Sequence, residues 1–104
     1  MTRIEHLLWI LAEECAEVAH RASKAARFGI DNIEEGQDLT NGQRIWAELN
    51  DLLAAAEMIA DEYKLSSYSD ERAIHRKKDK VEKFLKYSEE IGTLDSDKSF
   101  YSYR

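Results

Sequence analysis

Apolar and small residues recur three or four positions apart from the start of the chain: Ile4, Leu7/Leu8, Leu11, Cys15, Val18/Ala19, Ala22 and Ala25/Ala26. That spacing is one face of a helix. It predicts a single long helix from Thr2 to about Phe28. Thr2 stands where an N-cap belongs, with Glu5 three residues later as a capping-box partner. Gly29 is a natural C-terminal stop. The segment GIDNIEEGQDLTNG, residues 29–42, breaks the period and reads as a loop. It is long for a helix–helix connection, and a short helical turn fits within it.

A second period starts near Thr40 or Asn41, where Thr40 and Gln43 again have capping-box spacing. Ile45, Leu49, Leu52/Leu53, Ala56, Ile59/Ala60 and Tyr63 form its stripe, which ends near Leu65. The run SSYS, residues 66–69, reads as a turn. A third helix is expected from about Asp70 to Ile91, with a sparser apolar face of Ile74, Val81, Phe84/Leu85 and Ile91. Gly92 ends it. The pattern therefore predicts an all-α fold of three main helices in one domain, residues 1–92, followed by a polar and aromatic tail, residues 93–104.

Composition sharpens this picture at three points. In a chain of 104 residues, 43% are hydrophobic and 35% charged. A small helical chain of that balance is expected to complete its core by homo-oligomerisation. The formal net charge of −6 argues against a nucleic-acid polymer as partner, because such a binder needs a basic face. A single nucleotide stays compatible, since divalent cations invert the sign of an acidic site. Cys15 is the only cysteine, so no intrachain disulfide and no cysteine-based zinc site can form. A reducing, cytoplasmic setting is expected. The apolar stretch from Leu7 to Ala12 is far too short to span a membrane.

The candidate chemistry lies in the carboxylates. LAEECAEVAH, residues 11–20, holds Glu13, Glu14 and Glu17 on an arc about one-third of the helix circumference wide, with small and apolar neighbours. In AELNDLLAAAEMI, residues 47–59, Glu48 and Asp51 share a face among leucines and alanines. Carboxylates on or beside a buried seam need a cation, a proton or a hydrogen-bonding partner. If the two helices pack antiparallel, four or five carboxylates meet. An all-oxygen donor set favours Mg²⁺ or Mn²⁺. Zinc would want nearby His or Cys, of which only His20 is at hand. The Glu-x-x-His pairs of a di-iron bundle are absent.

The pattern EExxE (Glu13, Glu14, Glu17) followed by ExxD (Glu48, Asp51) on the next helix, and then by a basic helix, resembles the MazG-like all-α nucleoside triphosphate pyrophosphohydrolase superfamily over roughly residues 4–90. The resemblance implies a helical dimer or tetramer that binds Mg²⁺. It also implies hydrolysis between the α and β phosphates of a (deoxy)nucleoside triphosphate, giving a monophosphate and pyrophosphate. Glu14, Glu17, Glu48 and Asp51 match the family's metal-binding positions. Glu13 matches the leading acid, and either Glu13 or Glu14 is then the general base.

Other residues have two readings each. The basic stretch IHRKKDKVEKFLK, residues 74–86, offers Lys77, Lys80 and Arg76 to phosphates. As an ordinary solvated face, it pairs with Asp79 and Glu82 instead. His20, Arg21 and Lys24 continue the acidic face toward Gly29, where Lys24 is a further phosphate-binding candidate. Glu17 and Arg21 have the i, i+4 spacing of an ordinary helical ion pair. Trp9 and Trp46 flank the motifs and are candidates for stacking on a base, or for packing in a core or interface. The tail residues Phe100, Tyr101 and Tyr103 are candidates to close over a base or dock on a partner, and the other reading is a loose, disordered tail. The competing reading for the whole chain is a non-catalytic helical interaction or nucleotide-binding module.

Overall fold

The structure, a computed structural model, describes residues 1–64 and 69–95. Among the described residues the only regular secondary structure is α-helix, and there is no strand. Three helices follow in order: α1 (Arg3–Phe28), α2 (Asn41–Glu62) and α3 (Glu71–Glu90). The chain divides into two units, residues 1–68 and 69–104.

The first unit is an antiparallel hairpin of α1 and α2. Arg3 Nε bonds Glu62 Oε2 at 3.0 Å at the open end, and Asn41 Nδ2 donates to Gly29 O at 2.9 Å at the closed end. Local chemistry sets the helix boundaries. Thr2 Oγ1 accepts the Glu5 amide at 3.2 Å, satisfying one orphan donor of the first turn. The expected box is only half formed there, because the Thr2 hydroxyl donates to the Glu5 carboxylate at 3.1 Å. At Thr40 the box is complete: Gln43 N donates to Thr40 Oγ1 at 3.1 Å, and Thr40 N donates to Gln43 Oε1 at 2.9 Å. Gly29 ends α1 at φ 104°, a conformation few L-residues adopt.

The loop between the helices contains turns but no helical turn, and it is tied at several points. Asn41 N donates to Asn32 O and Gly42 N to Ile30 O, each at 2.9 Å. Gly42 is required by close approach, because a Cβ there would sit 2.8 Å from Ile30 Cγ1 and 3.3 Å from Ile30 O. Asn41 is buried at 3% exposure and spends its side-chain amide on closing the hairpin.

The seam between the helices differs from the sequence stripe. On α1 the residues turned at least partly from solvent are Ile4, Leu7, Leu11, Glu14, Val18, Arg21 and Ala25, with Lys24 beside them. These seven alternate spacings of three and four, the 3.5-residue repeat of helices packed along their length. Glu14 and Arg21 therefore hold the positions that apolar counting gave to Cys15 and Ala22, both of which are exposed. On α2 the matching row is Asn41, Ile45, Glu48, Leu52, Ala55 and Ile59. Leu7, Ala55 and Ala60 are fully buried.

The second unit contains α3. Asp70 Oδ1 caps it, accepting from Arg72 N at 2.9 Å and Ala73 N at 3.2 Å. Gly92, at φ 85°, follows its last turn. The expected end of the second helix at Leu65 and most of the SSYS turn lie outside the described residues, as do the tail aromatics Phe100, Tyr101 and Tyr103.

Candidate metal centre

Antiparallel packing brings the two acidic motifs together midway along the hairpin. Glu14, Glu48 and Asp51 each place a carboxylate oxygen within 4.8 Å of the other two. Glu14 and Glu48 are half-buried in the seam, and Asp51 is exposed at its edge. Oxygens sharing one Mg²⁺ at about 2.1 Å are at most about 4.2 Å apart. Adjacent oxygens of an octahedron are about 3.0 Å apart, so the three side chains must draw together for one ion to engage them all. The donor set is all oxygen, as hard divalent cations require.

The electrostatics follow from this placement. Desolvation against the seam raises the Glu14 pKa above its ordinary value, and Asp51, Glu48, Glu17 and Glu13 push it further up, in that order. Four neighbours of one sign make the cluster self-repelling unless a cation or proton enters. Glu17 and Glu13 are exposed and stand outside the three-carboxylate group. They flank it on the same side of α1 and act on it through charge.

Trp9 precedes Glu14 by five residues and Trp46 precedes Asp51 by five, a rotation of about 140° around each helix. Both indoles are exposed, at 61% and 66%, and Trp9, four residues before Glu13, lies within about 40° of that glutamate around α1. Lys24 lies two to three turns beyond Glu14. Its Nζ sits 5.5 Å from the Phe28 ring centre, and the residue lines a cavity of about 300 Å³ with Phe28, Asn32, Glu34 and Asn41 among its walls. Lys77 and Lys80 lie on α3 in the second unit. Near them, His75 Nε2 and Asp79 Oδ2 form an i, i+4 contact at 3.6 Å.

One cluster escaped the sequence. Arg44 Nη1 bonds Glu34 Oε2 at 2.6 Å, and Arg21 Nη1 lies 4.0 Å from the same oxygen. Arg21 thus turns into the hairpin toward the loop, and it forms no ion pair with Glu17 among the described residues. The Arg44 hydrogen bond, aided by the charges of Arg44, Arg21 and Lys24, lowers the Glu34 pKa against an opposing desolvation. Glu34 lies ten residues from Arg44 in an irregular loop, so no periodic signal announces this contact.

Comparison with family models, with curated proteins and with solved structures returned no match for this chain.

Proposed function

We propose that the chain is a Mg²⁺-dependent, homo-oligomeric nucleotide pyrophosphohydrolase. In this reading it cleaves the α–β phosphate bond of a (deoxy)nucleoside triphosphate. The observation that carries the proposal is the meeting of Glu14, Glu48 and Asp51 from two helices within 4.8 Å, with Leu11, Val18, Ile45 and Leu52 flanking the two half-buried glutamates. A half-buried group of like charges is costly to fold, and a divalent cation offsets that cost. The resemblance to the MazG-like superfamily supplies the reaction class.

Glu14, Glu48 and Asp51 would hold the metal, with Glu17 at the rim as a further ligand. When bound, Mg²⁺ supplies charge neutralisation for the phosphates and acidifies an attacking water. Glu13 lies outside the three-carboxylate group and is the candidate to accept that water's proton. The water oxygen bonds to the α phosphorus while the α–β bridging oxygen departs with pyrophosphate. Cationic side chains stabilise the departing charge, with Lys24 proposed for that role and Lys77 and Lys80 proposed to serve a neighbouring subunit's site.

Oligomerisation is supported by the opposite side of the hairpin. Leu8 on α1 and Trp46 and Leu53 on α2 lie there, exposed at 50%, 66% and 53%. Solvent-facing apolar rows of this kind are commonly covered by another protein surface. In this account Trp46 packs between subunits.

The test is to incubate purified protein with each common NTP and dNTP, with and without Mg²⁺, and to quantify pyrophosphate and monophosphate. Equal Mg²⁺-dependent release of both from a preferred nucleotide is expected, and Asp51→Asn should abolish it. Absence of release from a folded protein across all of them would favour the binding-module reading.

A further inference from the structure

The carboxylates and the arginines belong to one stripe. Glu14 and Arg21 are seven residues apart on α1, and Asp51 and Arg44 are seven apart on α2, running the opposite way. Seven residues bring a side chain back to within about 20° of the same direction. Because the helices are antiparallel, both steps lead from the acidic cluster toward the closed end of the hairpin. Arg44 is one turn from Glu48, about 6 Å along the axis, and Arg21 is two turns from Glu14, about 10 Å.

The arginine layer is poor in acceptors. Two guanidinium groups face one carboxylate, and Lys24 adds a third cation close enough to act on Glu34. Glu34 satisfies Arg44 at 2.6 Å but stands 4.0 Å from Arg21 Nη1, beyond hydrogen-bonding range. That nitrogen is inaccessible and has no hydrogen-bond partner among the described residues. The side chains of Arg21 and Arg44 are only 11% and 18% exposed. Glu34, by contrast, is half-exposed on a loop and lines the adjoining cavity. A carboxylate at a guanidinium fork occupies the place that a phosphate takes equally well.

We propose that Arg21 and Arg44 form the subsite for the pyrophosphate end of the triphosphate, with Glu34 as the internal carboxylate that the phosphates displace. This rests on the metal-centre reading above and adds a direction to it. The substrate lies along the hairpin with its α phosphate at Glu14, Glu48 and Asp51 and its terminal phosphates toward the closed end. The nucleoside then points away from the arginines. Displacing Glu34 frees the loop segment that carries it.

The test is calorimetric titration of inorganic pyrophosphate into the full chain at saturating Mg²⁺, with Mg²⁺ alone titrated separately. Arg44→Gln should weaken pyrophosphate binding about tenfold or more, the scale of a lost charge-assisted hydrogen bond. Glu34→Gln should tighten it several-fold by removing the competitor. Arg44→Lys, which keeps the charge but loses the fork, should fall between wild type and Arg44→Gln. Mg²⁺ binding alone should be unchanged in all three. A merely structural Glu34–Arg44 anchor would lower the melting temperature of both the Glu34 and Arg44 variants without moving pyrophosphate affinity in opposite directions, and that result overturns the subsite. Wild type that binds Mg²⁺ but not pyrophosphate also overturns it and leaves the metal centre standing. Failure to bind Mg²⁺ at all would remove the metal centre and the subsite with it.

Discussion

Glu14 and Glu48 face each other across the α1–α2 seam, each at a position where the 3.5-residue repeat of its helix places apolar neighbours on either side. Leu11 and Val18 flank Glu14 on α1, and Ile45 and Leu52 flank Glu48 on α2. Two carboxylates in that setting repel each other and lose hydration, which costs the metal-free protein stability.

That cost depends on pH. The folded pKa of Glu14 is raised above its unfolded value, mainly by desolvation and then by Asp51 and Glu48. Between those two values the native state binds more protons than the unfolded one. The stability this group contributes is therefore present below the unfolded pKa and lost as pH rises through the folded pKa. Melting in EDTA from pH 4 upward should show that decline. Glu14→Gln should flatten it, and saturating Mg²⁺ should remove it in wild type. An identical pH profile in wild type and Glu14→Gln would contradict the assignment.

Glu34 has the opposite sign. Its pKa is lowered by the Arg44 hydrogen bond, so its contribution is present above the unfolded value and lost as pH falls through the folded one. Below the ordinary carboxylate range, wild type should lose stability that Glu34→Gln never had. Acid titrations followed by circular dichroism should converge for the two proteins at low pH and separate near neutrality.

The closed end tolerates little change. Gly42→Ala places a methyl group 2.8 Å from Ile30 Cγ1 and 3.3 Å from a backbone oxygen, and should cost about 1–3 kcal/mol. Asn41→Ala removes the 2.9 Å bond to Gly29 O from a buried position, and should cost about 1–3 kcal/mol. Urea denaturation reads both. An unchanged midpoint in either variant would mean that the loop is not held to α2 as described.

The sequence and structure agree where the chemistry is local. Thr2, Gly29, Thr40 and Gly92 mark the helix ends in the sequence because caps act within a few residues. The two acidic motifs are legible in the sequence, but the antiparallel hairpin joins three carboxylates, Glu14, Glu48 and Asp51, where four or five are expected, because Glu13 and Glu17 point out of the seam. The seam register was not visible. Counting apolar residues moved it onto Cys15 and Ala22, because the seam uses Glu14 and Arg21 and a hydrophobic pattern has no way to assign a charge to the interior. The Arg21–Glu34–Arg44 cluster was hidden for a second reason. Arg21 had a local partner in Glu17, and only the folded loop delivers the competing carboxylate. Helical rotation also fixes the tryptophans. A spacing of five carries Trp9 away from Glu14 and Trp46 away from Asp51, whereas Trp9 keeps the face of Glu13, four residues on.

The rank of the acids gives another prediction. Glu48 belongs to the three-carboxylate group and Glu17 flanks it. Glu48→Gln should abolish Mg²⁺ stabilisation, whereas Glu17→Gln should weaken it and leave a measurable shift. Thermal melts at increasing Mg²⁺ concentration separate the two. Equal loss in both variants would place Glu17 among the central ligands.

The most direct measurement is a Mn²⁺ titration followed by the paramagnetic resonance signal of the free aquo ion. Wild type should remove Mn²⁺ from solution at a saturable site, Mg²⁺ should compete for it, and Glu48→Gln should leave the ion free. A wild-type titration indistinguishable from buffer, or full retention of binding in Glu48→Gln, would contradict a metal centre at Glu14, Glu48 and Asp51.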